Sequence, residues 1–414
     1  MAELYSLPNG WEWKKLEEIT ELITKGTTPT TNGYKFQNSG INFLKIENII
    51  NGDIDLSTIE MFISEEAHQS QKRSQLKEYD VLFSIAGTIG DTAIVKKEHL
   101  PMNINQAIAL IRPKNILNSF FLKYSLLSII SQNTKNKQRG GAIKNISLGD
   151  IKDLNYPLPP LEEQKRIVAK LDILFAKIDK AIALHQKNID EADIFMASVL
   201  NDVFVELEEK YEKKYLDEIS FLIDGDRGSN YPKKEEFFEN EFCLFLNAKN
   251  VTRNGFLFLE KQFIRKEKDS LLRKGKLDRE DLIITTRGTI GNVAIYDKSI
   301  EFDNVRINSG MAIIRLKEKN LIYNRYIYKY LFAPQFLNYL SDVQSGSAQP
   351  QITIKNLKES IVPIPPLKTQ QKVVAYLDEI SNKIEKIKQI QKEKMQSLKE
   401  LKASILDKAF KGEL

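Results

Sequence analysis

Apolar residues recur at spacings of three and four along two long stretches of this 414-residue chain. One stretch runs from Val168 to Val203 and the other from Val373 to Ile405, and the second includes Ile387 and Leu401. This spacing is typical of a helix that packs one apolar stripe against a partner helix. The sequence therefore predicts two long helices that share a seam. The seam residues are Val168, Leu171, Phe175, Ile178, Ile182, His185, Ile189, Leu377, Ile384, Gln391, Leu398 and Ile405.

Each stretch is preceded by nearly the same proline-rich motif. The first copy, Pro157–Gln164, reads Pro-Leu-Pro-Pro-Leu-Glu-Glu-Gln, and the second, Pro363–Gln370, reads Pro-Ile-Pro-Pro-Leu-Lys-Thr-Gln. At a constant offset of 206, the sixteen positions from Pro157 hold nine identities. Proline fixes φ and keeps the preceding residue out of the helical region, so the chain arrives extended and a helix can start near Leu161. Two unrelated surface helices would rarely share both an entry motif and a length, so we interpret the motif as part of a duplication.

The regions before the two motifs are also related to each other. Asp80–Ile94 matches Asp281–Ile295, and Asn105–Arg112 matches Asn308–Arg315. The offset drifts between about 200 and 203 in these regions but stays at 206 through the helices. Helix length is therefore kept while the loops of the preceding domains vary. The predicted division is a first domain at 1–156, a first helical region at 157–210, a second domain at 211–362 and a second helical region at 363–414.

Short apolar runs bounded by turn residues predict mixed domains. Strands are expected at Val81–Ile85, Ala93–Lys96 and Ala107–Ile111, with a glycine-rich turn at Gly87–Gly90. Shorter helices are expected at Leu16–Ile23, Phe120–Ile130 and Tyr326–Leu340. We predict an α+β fold: two globular domains separated by two long helices that form an antiparallel coiled coil, with a pseudo-two-fold internal repeat.

The doubled Pro-Pro-Leu-x-x-Gln entry before a long helix resembles the DNA specificity subunit of type I restriction–modification enzymes. The Leu-Pro-Asn-Gly-Trp start at Leu7–Trp11 resembles the beginning of that family's first target-recognition domain. The resemblance covers the whole chain, and it implies a subunit that catalyses nothing itself. The implied partners are double-stranded DNA, two methyltransferase subunits that bring S-adenosylmethionine and methylate adenine, and a restriction/translocase subunit. The outer faces of the helices would dock those subunits.

The amino-acid composition by itself argues only against cysteine-based sites and a membrane segment. Net charge is +5, from 61 Lys and Arg against 56 Asp and Glu, and this mild excess does not by itself indicate nucleic acid. The one cysteine, Cys243, lies in an apolar run, so neither an internal disulfide nor a multi-cysteine metal site is expected. With neither a secretory signal nor an apolar run of spanning length, the sequence favours a cytoplasmic protein without a membrane segment.

Motifs for catalysis are missing from the sequence. There is no Gly-x-x-x-x-Gly-Lys-Ser/Thr phosphate loop and no Asn/Asp-Pro-Pro-Phe/Tyr motif of amino-methyltransferases. His68, His99 and His185 are scattered without metal-ligand spacing. The turn at Gly87–Gly90 lies between two strands, which disfavours a cofactor site. We therefore expect no cofactor and no metal.

Polar loops in both halves carry the signal for binding. Arg, Lys, Asn, Gln, Ser and Thr side chains read base edges, and Lys and Arg also bind phosphates. Each such residue taken singly is equally compatible with a solvated loop, so the argument depends on their matched positions in two repeats. The DNA-binding candidates are Lys25, Thr27, Asn32, Lys45, Thr88, Lys135, Lys137, Arg139, Lys144, Arg227, Asn230, Lys249, Arg253, Arg287, Thr289, Ser345 and Gln349.

Three functions remain open on the sequence alone: a DNA specificity subunit, a single-chain enzyme, and a coiled-coil scaffold without a DNA role. In the first, each domain reads one half of an asymmetric, bipartite site. A helix of about 45 residues rises about 1.5 Å per residue and spans on the order of 70 Å, which would set the gap between the halves. His185 and Gln391 lie at equivalent mid-helix positions, and we expect them to approach each other as a polar pair that sets the register of the seam.

Overall fold

The computed structural model describes residues 5–137, 146–346 and 350–414, and for 129–137 it describes the backbone alone. The chain divides into two compact units. The first contains Met1–His185 and Lys392–Leu414, and the second contains Gln186–Gln391. The first unit is therefore assembled from two separate stretches of sequence, whereas the second is continuous.

The first unit is built from short strands and helices. Its strands are β1 (Glu12–Lys15), β2 (Thr20–Lys25), β3 (Ile41–Leu44), β4 (Ile49–Ile50), β5 (Asp53–Ile54), β6 (Phe62–Ile63), β7 (Val81–Ser84), β8 (Thr92–Ile94), β9 (Met102–Ile104), β10 (Ile108–Pro113) and β11 (Asn155–Leu158). Its helices are α1 (Glu65–Ser70), α2 (Ser119–Lys137), α3 (Leu148–Lys152), the first half of α4 (Leu161–Lys210) and the last part of α10 (Leu367–Phe410).

The core of the first unit lies on both faces of an antiparallel sheet with strand order β2-β10-β7-β8. Side chains alternate between the faces because successive residues of a strand point to opposite sides. Val81 and Phe83 pack into a core shared with the helices, whereas Leu82 packs into a core shared with β3 and β9. A second sheet, β6-β3-β9, has β3 and β9 parallel.

The second unit repeats this plan. Its strands are β12 (Lys213–Tyr215), β13 (Ser220–Asp224), β14 (Cys243–Leu246), β15 (Val251–Thr252), β16 (Gly255–Phe256), β17 (Phe263–Ile264), β18 (Leu282–Thr285), β19 (Val293–Ile295), β20 (Val305–Ile307), β21 (Met311–Leu316) and β22 (Ile361–Pro363). Its helices are α5 (Leu216–Ile219), α6 (Lys266–Leu271), α7 (Asn324–Tyr330), α8 (Pro334–Val343) and α9 (Ile354–Glu359), with the second half of α4 and the first half of α10 (Leu367–Phe410). The sheet orders β13-β21-β18-β19 and β17-β14-β20 reproduce those of the first unit.

Two predicted helices were wrong in detail. Leu16–Ile19 is a single 3-10 turn, and Thr20–Lys25 is strand β2, because this segment, with three β-branched residues, pairs with β10 instead of continuing a helix. The helix predicted at Tyr326–Leu340 is two helices, α7 and α8, with Pro334 opening the second. Proline has no backbone N–H and is tolerated at a first helical position but not inside a helix.

The long helices run antiparallel within each unit. In the first unit Arg166 of α4 donates to the carbonyl oxygen of Leu414 at 2.9 Å, and Asp179 pairs with Lys402 at 2.8 Å. In the second unit Asn188 donates to Gln391 at 3.4 Å and Asp193 pairs with Lys388 at 2.8 Å. Residue numbers rise along one helix as they fall along the other. The predicted α+β fold with an antiparallel helix pair is confirmed.

The helix entry is held by a buried glutamine in both units. Gln164 donates from Nε2 to the carbonyl oxygens of Pro159 and Ile116, each at 2.9 Å. Gln370 makes the equivalent bonds to Pro365 at 2.8 Å and Leu321 at 2.9 Å. Both glutamine side chains are buried. The glutamine of the repeated motif therefore joins the start of each long helix to the domain that precedes it.

Candidate nucleic-acid interface

A polar groove in the first unit brings three of the predicted DNA-binding residues together. Lys25, Thr27 and Asn32 line a groove of about 640 Å³ that is completed by the segment Gln69–Ser74. The chain turns sharply after β2, because a Cβ on Gly26 would lie 1.8 Å from the carbonyl oxygen of Ile104. That close approach requires glycine. The turn places the loop after β2 beside the segment Gln69–Ser74.

The second unit has the same turn with different chemistry. A Cβ on Gly225 would lie 2.0 Å from the carbonyl oxygen of Asn308, as at Gly26. Asp226 follows, and its buried carboxylate accepts from the backbone N–H of Gly228 at 2.8 Å and of Arg273 at 2.7 Å. The N–H of Gly228, together with that of Arg273, holds the pKa of Asp226 below its usual value despite burial. Asp226 is thus a structural anchor that joins this loop to the segment after α6.

The two DNA-binding candidates on this loop, Arg227 and Asn230, are exposed. Arg227 donates to the carbonyl oxygen of Ser309 at 3.1 Å and pairs with Asp224 at 3.2 Å. Asn230 donates to the carbonyl oxygen of Leu271 at 3.2 Å. These bonds fix the direction of both side chains at the surface. The bond to Ser309 also brings the loop beside the turn at 308–310. This turn lies next to Arg287, because a Cβ on Gly310 would be 3.7 Å from the Cβ of Arg287.

The glycine-rich turns between strands are built alike in the two units. The Ser84 hydroxyl donates to the carbonyl oxygen of Thr88 at 2.5 Å, and the Thr285 hydroxyl donates to that of Thr289 at 2.5 Å. Thr88 and Thr289 are both exposed. A buried hydroxyl therefore fixes the backbone of each turn while the candidate side chain remains open to solvent.

Arg287 draws a further loop of the second unit to this turn. Its guanidinium donates to Gln351 Oε1 at 3.2 Å, and isolated bridges join Gln351 to both Arg287 and Ser345. In the first unit Ile146 donates from its backbone N–H to Ile85 at 3.1 Å, as Ile352 does to Thr286 at 2.9 Å. The chain thus returns to the glycine-rich turn at equivalent points in both units.

Three of the remaining candidates are distributed more widely. Lys45 pairs with Glu47 at 3.4 Å and Lys249 with Glu260 at 2.8 Å, so a carboxylate already neutralises part of each charge. Arg253 lies exposed in the hairpin between β15 and β16.

Five candidates cannot be placed at the level of their side chains. Arg139, Lys144 and Gln349 lie outside the described residues, and the side chains of Lys135 and Lys137, near the end of α2, do so too. Their assignment to the interface stays a prediction.

Sequence reasoning missed a pair of exposed basic residues in each unit. Lys72 and Arg73 lie on the groove of the first unit, and Arg273 and Lys274 follow α6 in the second. The repeat itself could have shown them, because an offset of 201 that aligns Asp80 with Asp281 also aligns these pairs. Lys-Arg and Arg-Lys differ at both positions, so no identity marks these pairs within the repeat.

The seam residues lie on the facing sides of the helices. Val168, Leu171, Phe175, Ile178, Ile189, Leu377 and Ile384 are buried, and Ile182, His185, Gln391, Leu398 and Ile405 are partly buried. Ile387 and Leu401, which the periodicity placed in the second stripe, are 47% and 48% exposed. A helix of 3.6 residues per turn drifts from a strict seven-residue repeat, so the residues buried near the end of α10 are Leu406, Ala409 and Phe410.

The expected pairing of His185 with Gln391 stays a prediction. Gln391 accepts a hydrogen bond from Asn188, which lies three residues beyond His185 on α4. A polar contact therefore interrupts the apolar stripe near the middle of the helix.

The histidines do not converge. His68 Nδ1 contacts Asn103 Oδ1, and His99 Nδ1 accepts from the backbone N–H of Lys96 at 3.1 Å. Among the described residues no cluster of His, Cys, Asp and Glu could hold a metal ion. No helix in this described part of the chain is both long and apolar enough to cross a membrane.

One protein-family model matches both halves of this architecture. The model described as type I restriction modification DNA specificity domain matches the chain twice, at residues 8–192 and 208–394. The chain belongs to this family. The resemblance drawn from the doubled proline-rich motif is thereby confirmed, and the two matches correspond to the two halves of the repeat.

Full-length relatives of the specificity-domain family are similar along nearly all of the chain. The EcoKI specificity subunit of Escherichia coli K12 is 28% identical over 437 aligned positions, which cover 99% of this chain and 90% of the relative. The putative MjaX specificity subunit of Methanocaldococcus jannaschii is 28% identical, over 96% of this chain and 93% of the relative. Both are named specificity subunits of type I restriction enzymes.

Solved structures share the fold. A chain from a study of complex assembly and conformational transition of the type I R-M system superposes with a TM-score of 0.73 at 24% identity, covering 99% of this chain and 100% of that one. The HsdS subunit from Thermoanaerobacter tengcongensis gives a TM-score of 0.53 at 24% identity, covering 99% of each chain.

Proposed function

We propose that this chain is the DNA specificity subunit of a type I restriction–modification enzyme. One observation carries the proposal: a polar loop face built on the same sheet occurs once in each unit, and each sheet leads through the same buried glutamine into a long helix. Membership of the specificity-domain family supports it. The chain selects the DNA sequence and leaves the chemistry to partner subunits.

Each unit reads one half of a bipartite site in double-stranded DNA. The loops occupy equivalent places but carry different side chains: Lys25 of the first unit corresponds in strand register to Asp224 of the second. Different donors and acceptors select different bases. The two half-sites therefore differ in sequence.

The helices supply spacing and docking. With 50 residues in α4 and 44 in α10, and a rise of about 1.5 Å per residue, they are about 75 Å and about 66 Å long. This length sets the gap between the half-sites. Ile194 and Phe195 of α4 are adjacent and are 69% and 56% exposed, which supports docking on the outer helix face. The proposed partners are two methyltransferase subunits, which supply S-adenosylmethionine, and a restriction/translocase subunit.

Methylome sequencing tests the proposal directly. The chain is produced with its methyltransferase subunit in cells without other adenine methylation, and one split adenine motif should appear. Asn32→Ala or Gln69→Ala in the first unit should alter the bases of one half-site, and Arg287→Ala in the second unit should alter only the other. A single unsplit motif, or changes in both halves from one substitution, would contradict the assignment.

Two binding measurements separate the alternatives. Tight binding of S-adenosylmethionine by the isolated chain would favour an enzyme over a specificity subunit. Absent or salt-independent DNA binding by the complex with methyltransferase would favour a scaffold, because phosphate contacts make DNA affinity fall with salt.

A further inference from the structure

The exposed basic pairs Lys72–Arg73 and Arg273–Lys274 occupy the same place in the two units. The backbone N–H of Leu76 donates to the carbonyl oxygen of Met102 at 3.1 Å, and that of Leu277 donates to the carbonyl oxygen of Val305 at 3.0 Å. These two bonds are equivalent, and in each unit the basic pair lies four and three residues before the donating leucine. All four side chains are exposed. Within the described part of the chain, none of the four forms an ion pair with a carboxylate, in contrast to Lys45, Lys249 and Arg227.

The surroundings of the two pairs differ. Gln69 and Gln71 of the first unit are replaced by Ser270 and Leu272 in the second. A feature shared by two surfaces that select different sequences carries no sequence information, whereas the features that differ can. Phosphate is the part of DNA that is the same at every site, and Lys and Arg are its usual ligands.

A buried arginine fixes the loop that bears the pair in the second unit. Arg306 donates to the carbonyl oxygens of Lys274 at 2.7 Å and Leu272 at 3.1 Å. The same guanidinium is held by Asp269, from Nε to Oδ1, at 2.5 Å, and both side chains are 6% exposed. The backbone of 272–274 is thus bonded inward on both sides of Arg273.

The first unit holds its loop with neutral groups. Asn103, which pairs with Phe43 as Arg306 pairs with Phe245, donates to Ser74 Oγ at 3.2 Å and to the carbonyl oxygen of Gln71 at 3.4 Å. Both units therefore place a buried side chain from the same strand position under the basic loop. The bonds are charge-assisted in the second unit only.

We propose that Arg273 and Lys274, and equivalently Lys72 and Arg73, bind backbone phosphates of the DNA, and that Arg306 is a positioning residue for the first of these pairs. This rests on the proposed function. The basic pairs anchor each unit on the duplex, while the neighbouring side chains that differ between units select the bases.

Salt dependence of DNA binding tests the anchor. The complex of this chain with its methyltransferase subunit is titrated at several salt concentrations. The titrant is duplex DNA that contains the motif that the complex methylates. Log K falls as log salt rises, and each lost phosphate contact makes this negative slope shallower by about 0.9. R273A/K274A and K72A/R73A should therefore each make it shallower by about 1.8. The methylated motif should be unchanged. The matched control is K317A/K319A, which removes two exposed lysines after the far end of β21 and should leave the slope unaltered.

The positioning role needs a separate readout. Arg306→Lys keeps the charge beside Asp269, but an ammonium has three donors and cannot replace the four hydrogen bonds of the guanidinium. The salt slope should therefore become shallower although Arg273 and Lys274 are still present. An arginine that served stability alone would leave the slope of the folded complex unchanged. A slope equal to wild type in the double variants, or an altered motif, overturns the phosphate assignment. If the wild-type complex neither binds DNA nor methylates a split motif, the proposed function itself fails.

Discussion

Arg112 donates hydrogen bonds to both carboxylate oxygens of Asp80, from Nε at 2.7 Å and from Nη2 at 2.6 Å. Arg315 and Asp281 repeat the arrangement in the second unit at 2.9 Å and 2.7 Å. The two residues come from neighbouring strand segments, and the Asp281 side chain is 1% exposed. Each pair thus fixes the start of a central strand of the sheet that carries the polar loops.

Removing the arginine should destabilise the protein strongly. Arg315→Met leaves the Asp281 carboxylate buried without its cation, which costs about 3–5 kcal/mol. Urea unfolding measures the loss. The control is Arg325→Met, which breaks the more exposed pair with Asp297 and should cost no more than about 1 kcal/mol. Equal effects of the two substitutions would contradict this account.

The same variant should respond to pH. Burial raises the pKa of Asp281 even beside the guanidinium, and loss of Arg315 should raise it further. A carboxyl whose pKa is higher in the folded state favours folding when it is protonated. The penalty of Arg315→Met should therefore shrink as the pH falls from about 8 to about 5. A penalty that is constant, or that grows at low pH, would show that the carboxylate is not the source.

Replacing a buried glutamine at a helix entry should destabilise the protein nearly as much as Arg315→Met. Gln164→Leu removes two donated bonds and the bond that Gln164 Oε1 accepts from the N–H of Asn118 at 2.8 Å, leaving buried backbone groups without partners. The expected loss is about 2–4 kcal/mol. Gln186→Leu changes an exposed glutamine of the same helix and should change stability by less than about 0.5 kcal/mol.

Phenylalanines at the ends of the long helices should stabilise one unit each. Phe410 packs on Phe121 with ring centroids 5.0 Å apart, and Phe204 packs on Tyr330 at 5.1 Å. Replacement by alanine should cost about 3–5 kcal/mol. Hydrogen exchange should locate the loss of protection in the first unit for Phe410→Ala and in the second for Phe204→Ala. Phe195→Ala, at an exposed site on α4, serves as the control.

Cys243 should be unreactive in the folded protein. Burial raises the pKa of its thiol to about 12. Since the thiolate is the nucleophile and only on the order of one thiol in ten thousand would be ionised at pH 8, Cys243 would react slowly even if the reagent had access. A thiol reagent should therefore label the chain only as the second unit opens, and in urea the labelling should follow unfolding. Labelling of the native chain at the rate of a free cysteine would contradict the buried position.

Much of this architecture could be predicted because it is encoded by periodicity and by duplication. The stripes of α4 and α10 and the motif before each helix are local patterns, so they appear in the sequence directly. The strand Thr20–Lys25 was missed because a tertiary partner, β10, decides its conformation. Asp80 and Arg112 were found as repeated residues, but no local rule shows that they touch.

The interface was predicted less completely for a related reason. Loops such as 26–32 and 72–74 are far apart in sequence, and only the fold brings Asn32 and Arg73 to one groove. Arg227 and Lys249 have the chemistry of DNA ligands, yet the structure gives each a carboxylate partner. Whether a cation is already paired depends on three-dimensional neighbours, which a composition argument cannot supply.

The first unit includes Lys392–Leu414, so its core is complete only after the whole second unit has been synthesised. Leu406, Ala409 and Phe410 belong to that core, and until they emerge from the ribosome its apolar surface stays uncovered. The continuous stretch Gln186–Gln391 has no such delay. We therefore expect the second unit to complete its core before the first during translation, the reverse of the usual order, so that the first unit would need protection from aggregation for longer.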